Sequence, residues 1–292
     1  MTTAALEFYA EPGRHTDVRG LGLEVADAAE AVEIVQGLVV YDMLAKDLYG
    51  ADLTDAQTAS VHVRDASELS ALASTIDDRP LREARPPAAR IGGRCNTFTV
   101  MTVALLRSAG IPARSRCGFG TYFVEGWHED HWVAEYWNAA QQRWVMIDAQ
   151  LDDAWRRLIG STADAAPVEV GPTEFVTGGH AWQAYRRGDL DPDRCGLTSI
   201  PEHGAFWIAG NLRLDFAALN KVEMLPWDLW GLFWEPEDEP PPGAFETLDE
   251  IAALTVDPDA RFDDLRDRYQ TDEQFRMDGT VFSVALGEFV TV

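Results

Sequence analysis

The chain has 292 residues, of which 46% are apolar and 25% charged, and its formal net charge is −25. That length can bury one large or two ordinary cores, and the composition is that of a soluble globular protein. The charge argues against nucleic acid and anionic membrane surfaces as partners, and no apolar stretch reaches membrane-spanning length. Three cysteines, Cys95, Cys117 and Cys195, are too few and too scattered for a disulfide framework. The opening MTTAALEFYAEPG lacks the basic start and apolar core of a signal peptide, so a reducing, cytoplasmic setting is expected.

In chain order, apolar positions at Ala28, Val32, Val35, Val39 and Met43 predict a well-buried helix over 27–46. A second helix is predicted over 55–75, with Asp55 as its cap. The Pro-, Arg- and Gly-rich stretch 76–93 reads as a loop that delivers the chain to Cys95. Residues 96–109 are apolar nearly all round, which predicts an interior helix stopped by Gly110 and Pro112. Strand-like pieces follow at 114–123, 131–137 and 143–149, the last two joined by a hairpin-length loop. One helix packed on an antiparallel sheet is an α+β arrangement.

Further on, 152–159, 173–187 and 212–225 read as helical. EPEDEPPPG (235–243) reads as an acidic linker, and the Thr247 to Glu250 tetrad as the capping box of one more helix. The tail over 280–291 reads as a final strand. The expected segmentation is a helical N-terminal extension over 1–84, a core over 85–152 and a mainly helical C-terminal extension over 153–292.

Between 82 and 116 the chain carries seven arginines (82, 85, 90, 94, 107, 114 and 116) against one acid, Glu83. Either these arginines pair with acids from elsewhere, or they favour a thiolate at Cys95 and an anionic or carbonyl-rich substrate. A cysteine in the first turn of a buried helix gains from the positive end of the helix dipole. Such a nucleophile needs a base, and the base needs an orienting partner. His131 opens an alternating strand whose hairpin partner carries Asp148. These two share a face only if opposed residue numbers sum to an odd value, as with a four-residue loop over 138–141.

These features resemble the transglutaminase-like superfamily of papain-type cysteine enzymes. The resemblance rests on Cys95 at a helix start, LLRSAGIPARSRCGFG, and then His131, Trp132, Glu135, Trp144 and Asp148 in order. It covers roughly 85–152. It implies a papain-like core and a thiol that attacks an amide or ester carbonyl. His131 would move the proton, Asp148 would hold its ring, and water or an amine would accept the acyl group. Arg94, Arg114, Arg116 and Trp132 are the candidate substrate-binding residues, and the partner is a small molecule or peptide with such a carbonyl. No cofactor or metal is expected. The family usually reads His-Ala-Trp and often has an oxyanion-donating tryptophan upstream of the cysteine. Here the first tryptophan is Trp127; the Cys95 N–H is one candidate donor and Gln36 another. The alternative is an inactive scaffold of this type that binds a peptide or metabolite.

Three other patterns are set aside. His180-Ala181-Trp182 copies the family tripeptide inside a helical pattern. WHEDH lacks the HExxH spacing of a zinc helix. Residues 189–200 start like a calcium loop but lack its glycine and closing glutamate. The tryptophan-rich stretch 206–234 reads as core.

Overall fold

The computed structural model describes residues 3–161, 168–236, 238–277 and 279–292. The elements run α1 (Thr3–Ala10), α2 (Ala28–Leu38), β1 (Val39–Tyr41), α3 (Ala45–Tyr49), α4 (Asp55–Ala59), α5 (Ala66–Ile76), β2 (Ile91–Gly93) and α6 (Cys95–Ser108). Then come β3 (Ala113–Gly120), β4 (His128–Asn138), β5 (Arg143–Asp148), α7 (Asp153–Leu158), β6 (Val168–Glu169), β7 (Phe175–Thr177), α8 (Gly178–Arg187) and β8 (Cys195–Gly196). The chain closes with α9 (Ala205–Leu219), β9 (Asp228–Leu229), α10 (Ala244–Thr255), α11 (Phe262–Thr271), β10 (Thr280–Ser283) and β11 (Glu288–Thr291). The class is α+β, as expected. The main sheet has the order β6-β5-β4-β3-β7, with β8 beside β4.

Two compact units divide the chain. The cysteine unit comprises Leu6–Ser115 and Trp132–Val170, and the C-terminal unit comprises Met1–Ala5, Arg116–His131 and Gly171–Val292. The cuts expected after 84 and after 152 both fall inside the cysteine unit. α6 is buried over nearly its whole length and needs cover. Ala31, Val32, Ile34, Val35 and Leu38 of α2 and Leu69 of α5 supply that cover in one cluster with Met101, Val103, Leu105 and Leu106. Ala134, Val145 and Ile147 join the same cluster from the sheet.

The helix expected over 27–46 ends at Leu38. Asp27 caps its start, accepting from Glu30 N–H. Val39, Val40 and Tyr41 leave the helix to pair in parallel with Ile91, Gly92 and Gly93. This tertiary pairing overrides the apolar spacing, and Val and Tyr suit a strand. The helix expected over 55–75 is two helices. Thr54, not Asp55, caps the first through a capping box with Gln57, and Asp65 caps the second.

β4 and β5 pair antiparallel from Ala134↔Ile147 to Asn138↔Arg143. Each pair of numbers sums to 281, an odd value, and the four-residue loop spans 139–142. The turn therefore sits one residue later than 138–141, and the parity is the one the His131–Asp148 pair requires.

In the C-terminal unit β7 pairs with the end of β3, from Gly118↔Thr177 to Gly120↔Phe175. Residues 173–187 are thus a short strand followed by α8. A Cβ on Gly178 would meet Leu212 N at 2.6 Å, and one on Gly179 would meet Thr255 Oγ1 at 2.2 Å. The two glycines let α8 start hard against α9 and α10. The helix read over 212–225 is α9, displaced toward the N-terminus. Thr247 lies inside α10, where its hydroxyl donates to Gly243 O at 2.9 Å, so it is no cap. The tail is a hairpin, β10 with β11, flanked by β9. Within the expected linker 235–243, Glu237 lies outside the described residues.

Candidate active site

Cys95 is the first residue of α6, half-buried, with Arg94 as the extended N-cap. The two glycines before it answer to close packing. A Cβ on Gly92 would lie 2.5 Å from Gln57 O, and one on Gly93 would lie 2.5 Å from Val39 Cγ1. Buried Gln57 donates to Ala88 O at 3.0 Å and Arg90 O at 2.7 Å, and Ser60 donates to Gly92 O at 2.6 Å. The approach to Cys95 is therefore clamped from α4 and the turn after it. Arg94 O accepts from Thr97 N–H at 2.8 Å and Phe98 N–H at 3.2 Å. The N–H groups of Cys95 and Asn96 come earlier in the turn, where no helical carbonyl can reach them. They suit an oxyanion at the Cys95 sulfur.

Four of the seven arginines pair with carboxylates, and the other three donate to uncharged oxygens, Arg90 to Arg85 O at 2.8 Å. Arg94 binds Asp42, with Nη2 to Oδ2 at 3.0 Å, and Arg82 binds Glu30. Arg85, 1% exposed, donates to the carbonyls of Asp77, Arg79 and Glu83. Arg107 donates to Ala113 O at 2.9 Å and Thr16 Oγ1 at 2.8 Å. Arg114, 2% exposed, holds Glu135 at 2.5 Å and stacks 4.0 Å over the Trp144 ring. Arg116, 4% exposed, holds Asp215 at 2.9 Å. Arg114 and Arg116 therefore brace strands; a buried guanidinium already matched by a carboxylate is not offered to a substrate anion. Trp132 is 1% exposed, and its indole N–H has no partner among the described residues, so it too lies inside the fold.

Asp148 ends β5, is 1% exposed and accepts from Gln150 N–H at 2.9 Å. Gln36 donates one amide N–H to Ala149 O at 3.1 Å, next to Asp148 in the chain.

His131, 2% exposed, lies in the C-terminal unit among aromatic rings. Ring centroids are 4.8 Å away for Phe123, 6.0 Å for Tyr122 and 6.3 Å for Phe175. Beside it, burial pushes the Asp130 carboxyl up to about 6, although hydrogen bonds from Asn211 and Trp207 oppose the rise. Asn211 Nδ2 donates to Asp130 Oδ1 and to Gly118 O, each at 2.8 Å. One turn on, Asp215 accepts from Cys117 N–H at 3.0 Å as well as from Arg116. Polar residues four apart on α9 thus hold β3 and β4. Sequence reasoning left this stretch as core; the signal was Asn211 and Asp215 at helical spacing in an otherwise apolar run.

His180 sits in α8 with Nδ1 2.8 Å from Thr177 Oγ1. His128 is half-buried, and burial lowers its pKa. Asp191 accepts from Asp193 N–H at 3.1 Å as the cap of a short 3-10 turn. Among the described residues, no group of three or more His, Cys, Asp or Glu side chains could hold a metal ion. Among the same residues no helix is long and apolar enough to cross a membrane.

The model of the transglutaminase-like superfamily matches residues 44–149. No curated protein matches the chain significantly. Among solved structures, the chain is similar to a candidate cysteine protease from Cytophaga hutchinsonii, at 17% identity and a TM-score of 0.29. That match covers 61% of this chain and 46% of the other, so this chain spans about half the length of that relative. Cys95, His131 and Asp148 all fall inside the matched span, in the order read from the sequence. Over residues 44–149 this chain is similar to the transglutaminase-like superfamily.

Proposed function

We propose that the protein is a cysteine-dependent acyl-transfer enzyme acting on an amide or ester carbonyl. Cys95 is the nucleophile, His131 its base and Asp148 the carboxylate that orients the imidazole. The observation that carries this reading is a thiol at the first position of a buried helix within a transglutaminase-like domain. The odd strand register and the buried carboxylate at the end of β5 support it.

The chemistry runs in two halves. Cys95 Sγ gives its proton to His131 and bonds to the carbonyl carbon. The N–H groups of Cys95 and Asn96 receive the charge that forms on oxygen. The C–N or C–O bond then breaks as His131 returns the proton to the departing amine or alcohol, leaving an acyl-thioester. Water or an amine attacks the thioester, loses its proton to His131 and releases Cys95 as a thiol.

Incubation with a panel of activated esters and amides, followed by intact mass and peptide mapping, tests this. An acyl mass on Cys95, absent in Cys95→Ala and slowed in His131→Gln, is expected. Acylation of Cys95 that is indifferent to His131→Gln removes the base; no acylation with any donor favours a binding scaffold.

A further inference from the structure

Among the described residues, the small sheet β11-β10-β9, which lies wholly in the C-terminal unit, keeps β11 as an open edge. We infer that β11 pairs antiparallel with β11 of a second copy of this chain, joining two three-stranded sheets into one of six strands.

Hydrogen-bond parity fixes which groups face outward. Val292 N–H donates to Gly279 O at 2.8 Å, in the register that pairs Thr280 with Thr291 and Ser283 with Glu288. Antiparallel partners alternate between bonded and unbonded pairs. Glu288, Val290 and Val292 therefore turn their backbone groups to β10, and Phe289 and Thr291 turn theirs away from the sheet. The far side of β10 agrees. Val284 N–H donates to Trp227 O at 3.0 Å, which turns Phe282 and Val284 toward β9 and leaves Val281 and Ser283 toward β11. Single chains commonly blunt such an edge with lysine, proline or a bulge. β11 has no lysine and no proline, and its four pairs with β10 run without a bulge.

The side chains add an apolar face. Val281 and Ser283 are buried on one side of the sheet, so Phe282, Val284 and Phe289 stand on the other. The Phe282 and Phe289 rings are 5.3 Å apart, and Phe289 is 74% exposed.

Charge selects the occupant. Over 280–292 the one charged residue is Glu288, in a chain of net charge −25. A basic partner gains little there, because the acids lie elsewhere. A second copy is repelled wherever acids face acids, and this hairpin is where two copies meet with little repulsion. Symmetry adds to this. An edge strand pairs antiparallel with itself about a two-fold axis, so each copy uses up the other's edge and growth stops at two.

Sedimentation equilibrium of the whole chain, from micromolar to near-millimolar concentration, tests the pairing. A monomer–dimer equilibrium is expected, and it should tighten as salt rises, because screening relieves the repulsion between acidic copies. Thr291→Pro removes an outward N–H and no bond to β10, so the dimer should be lost while the Tm holds. Phe289→Glu should weaken the dimer by about thirtyfold or more, the scale of losing one central aromatic contact. If Thr291→Pro lowers the Tm, Phe289→Glu alone decides. A chain that stays monomeric at every concentration and salt overturns the inference. So does a dimer that survives either folded variant, because it would use another surface. A mass that climbs past two chains overturns it too, because the edge would not close.

Discussion

Arg116 and Asp215 form a two-point ion pair inside the C-terminal unit, with Nε to Oδ1 and Nη2 to Oδ2 both at 2.9 Å. The carboxylate also accepts the Cys117 N–H, so one side chain of α9 fixes both the charge and the backbone of β3. Asp215→Asn leaves a buried guanidinium without its counter-charge. The expected cost is about 3–5 kcal/mol in urea-induced unfolding. The double variant Arg116→Met with Asp215→Leu removes both charges and should recover most of that loss. Equal losses in the single and double variants would show that the hydrogen bond to Cys117, and not the charge, carries the stability.

Asp130 sets a stability trend with pH. Its carboxyl is raised in the folded chain to about 6, first by burial and also by Glu129, against hydrogen bonds from Asn211 and Trp207 and the charge of His131. Between about pH 4 and 6 the folded state therefore holds a proton that the unfolded chain has released. Stability from this group is greatest below pH 4 and declines as pH rises through 6, by roughly 3 kcal/mol in total. Asp130→Asn should abolish that decline and be the more stable protein at pH 7. Denaturant titrations at pH 4.5 and 7 measure it, and a wild-type slope unchanged by the substitution would refute it.

The three thiols should separate cleanly in labelling. Cys117 and Cys195 are wholly buried, and burial pushes the Cys195 thiol up to about 12. Cys95 alone among them is half-exposed. Brief iodoacetamide treatment of the native protein at pH 7.5 should add one label per chain, on Cys95, and denaturant should release the other two. Comparable native labelling of Cys195 would contradict its burial.

Gly92 tests the delivery of the nucleophile. Gly92→Ala drives a methyl against the Gln57 carbonyl, which Gln57's own bonds to Ala88 and Arg90 hold in place. Overpacking of this kind costs about 1–3 kcal/mol. The Tm should fall, and Cys95 labelling should slow because α6 starts from a displaced strand. An unchanged Tm would show that the loop yields freely.

Much of the cysteine unit was legible because its signals are local. A helix apolar all round must be interior, Gly110 and Pro112 must end it, and alternation in 131–137 and 143–149 must make strands. Cys95 and Asp148 stood out because each begins or ends one of those elements; His131 stood out as the start of the alternating run, although its strand begins earlier, at His128. The end of α2 at Leu38 was not legible: Val39 to Tyr41 keep helical apolar spacing and turn into a strand only because Ile91 to Gly93 lie alongside. The arginines were ambiguous for a related reason. Composition counts seven positive charges, but only tertiary contact supplies Asp42, Glu135 and Asp215, two of them far along the chain. Periodicity and punctuation act over a few residues and can be read from letters. Charge pairing, close glycine contacts and the aromatic surroundings of His131 join residues distant in sequence, and only packing chooses among their possible partners.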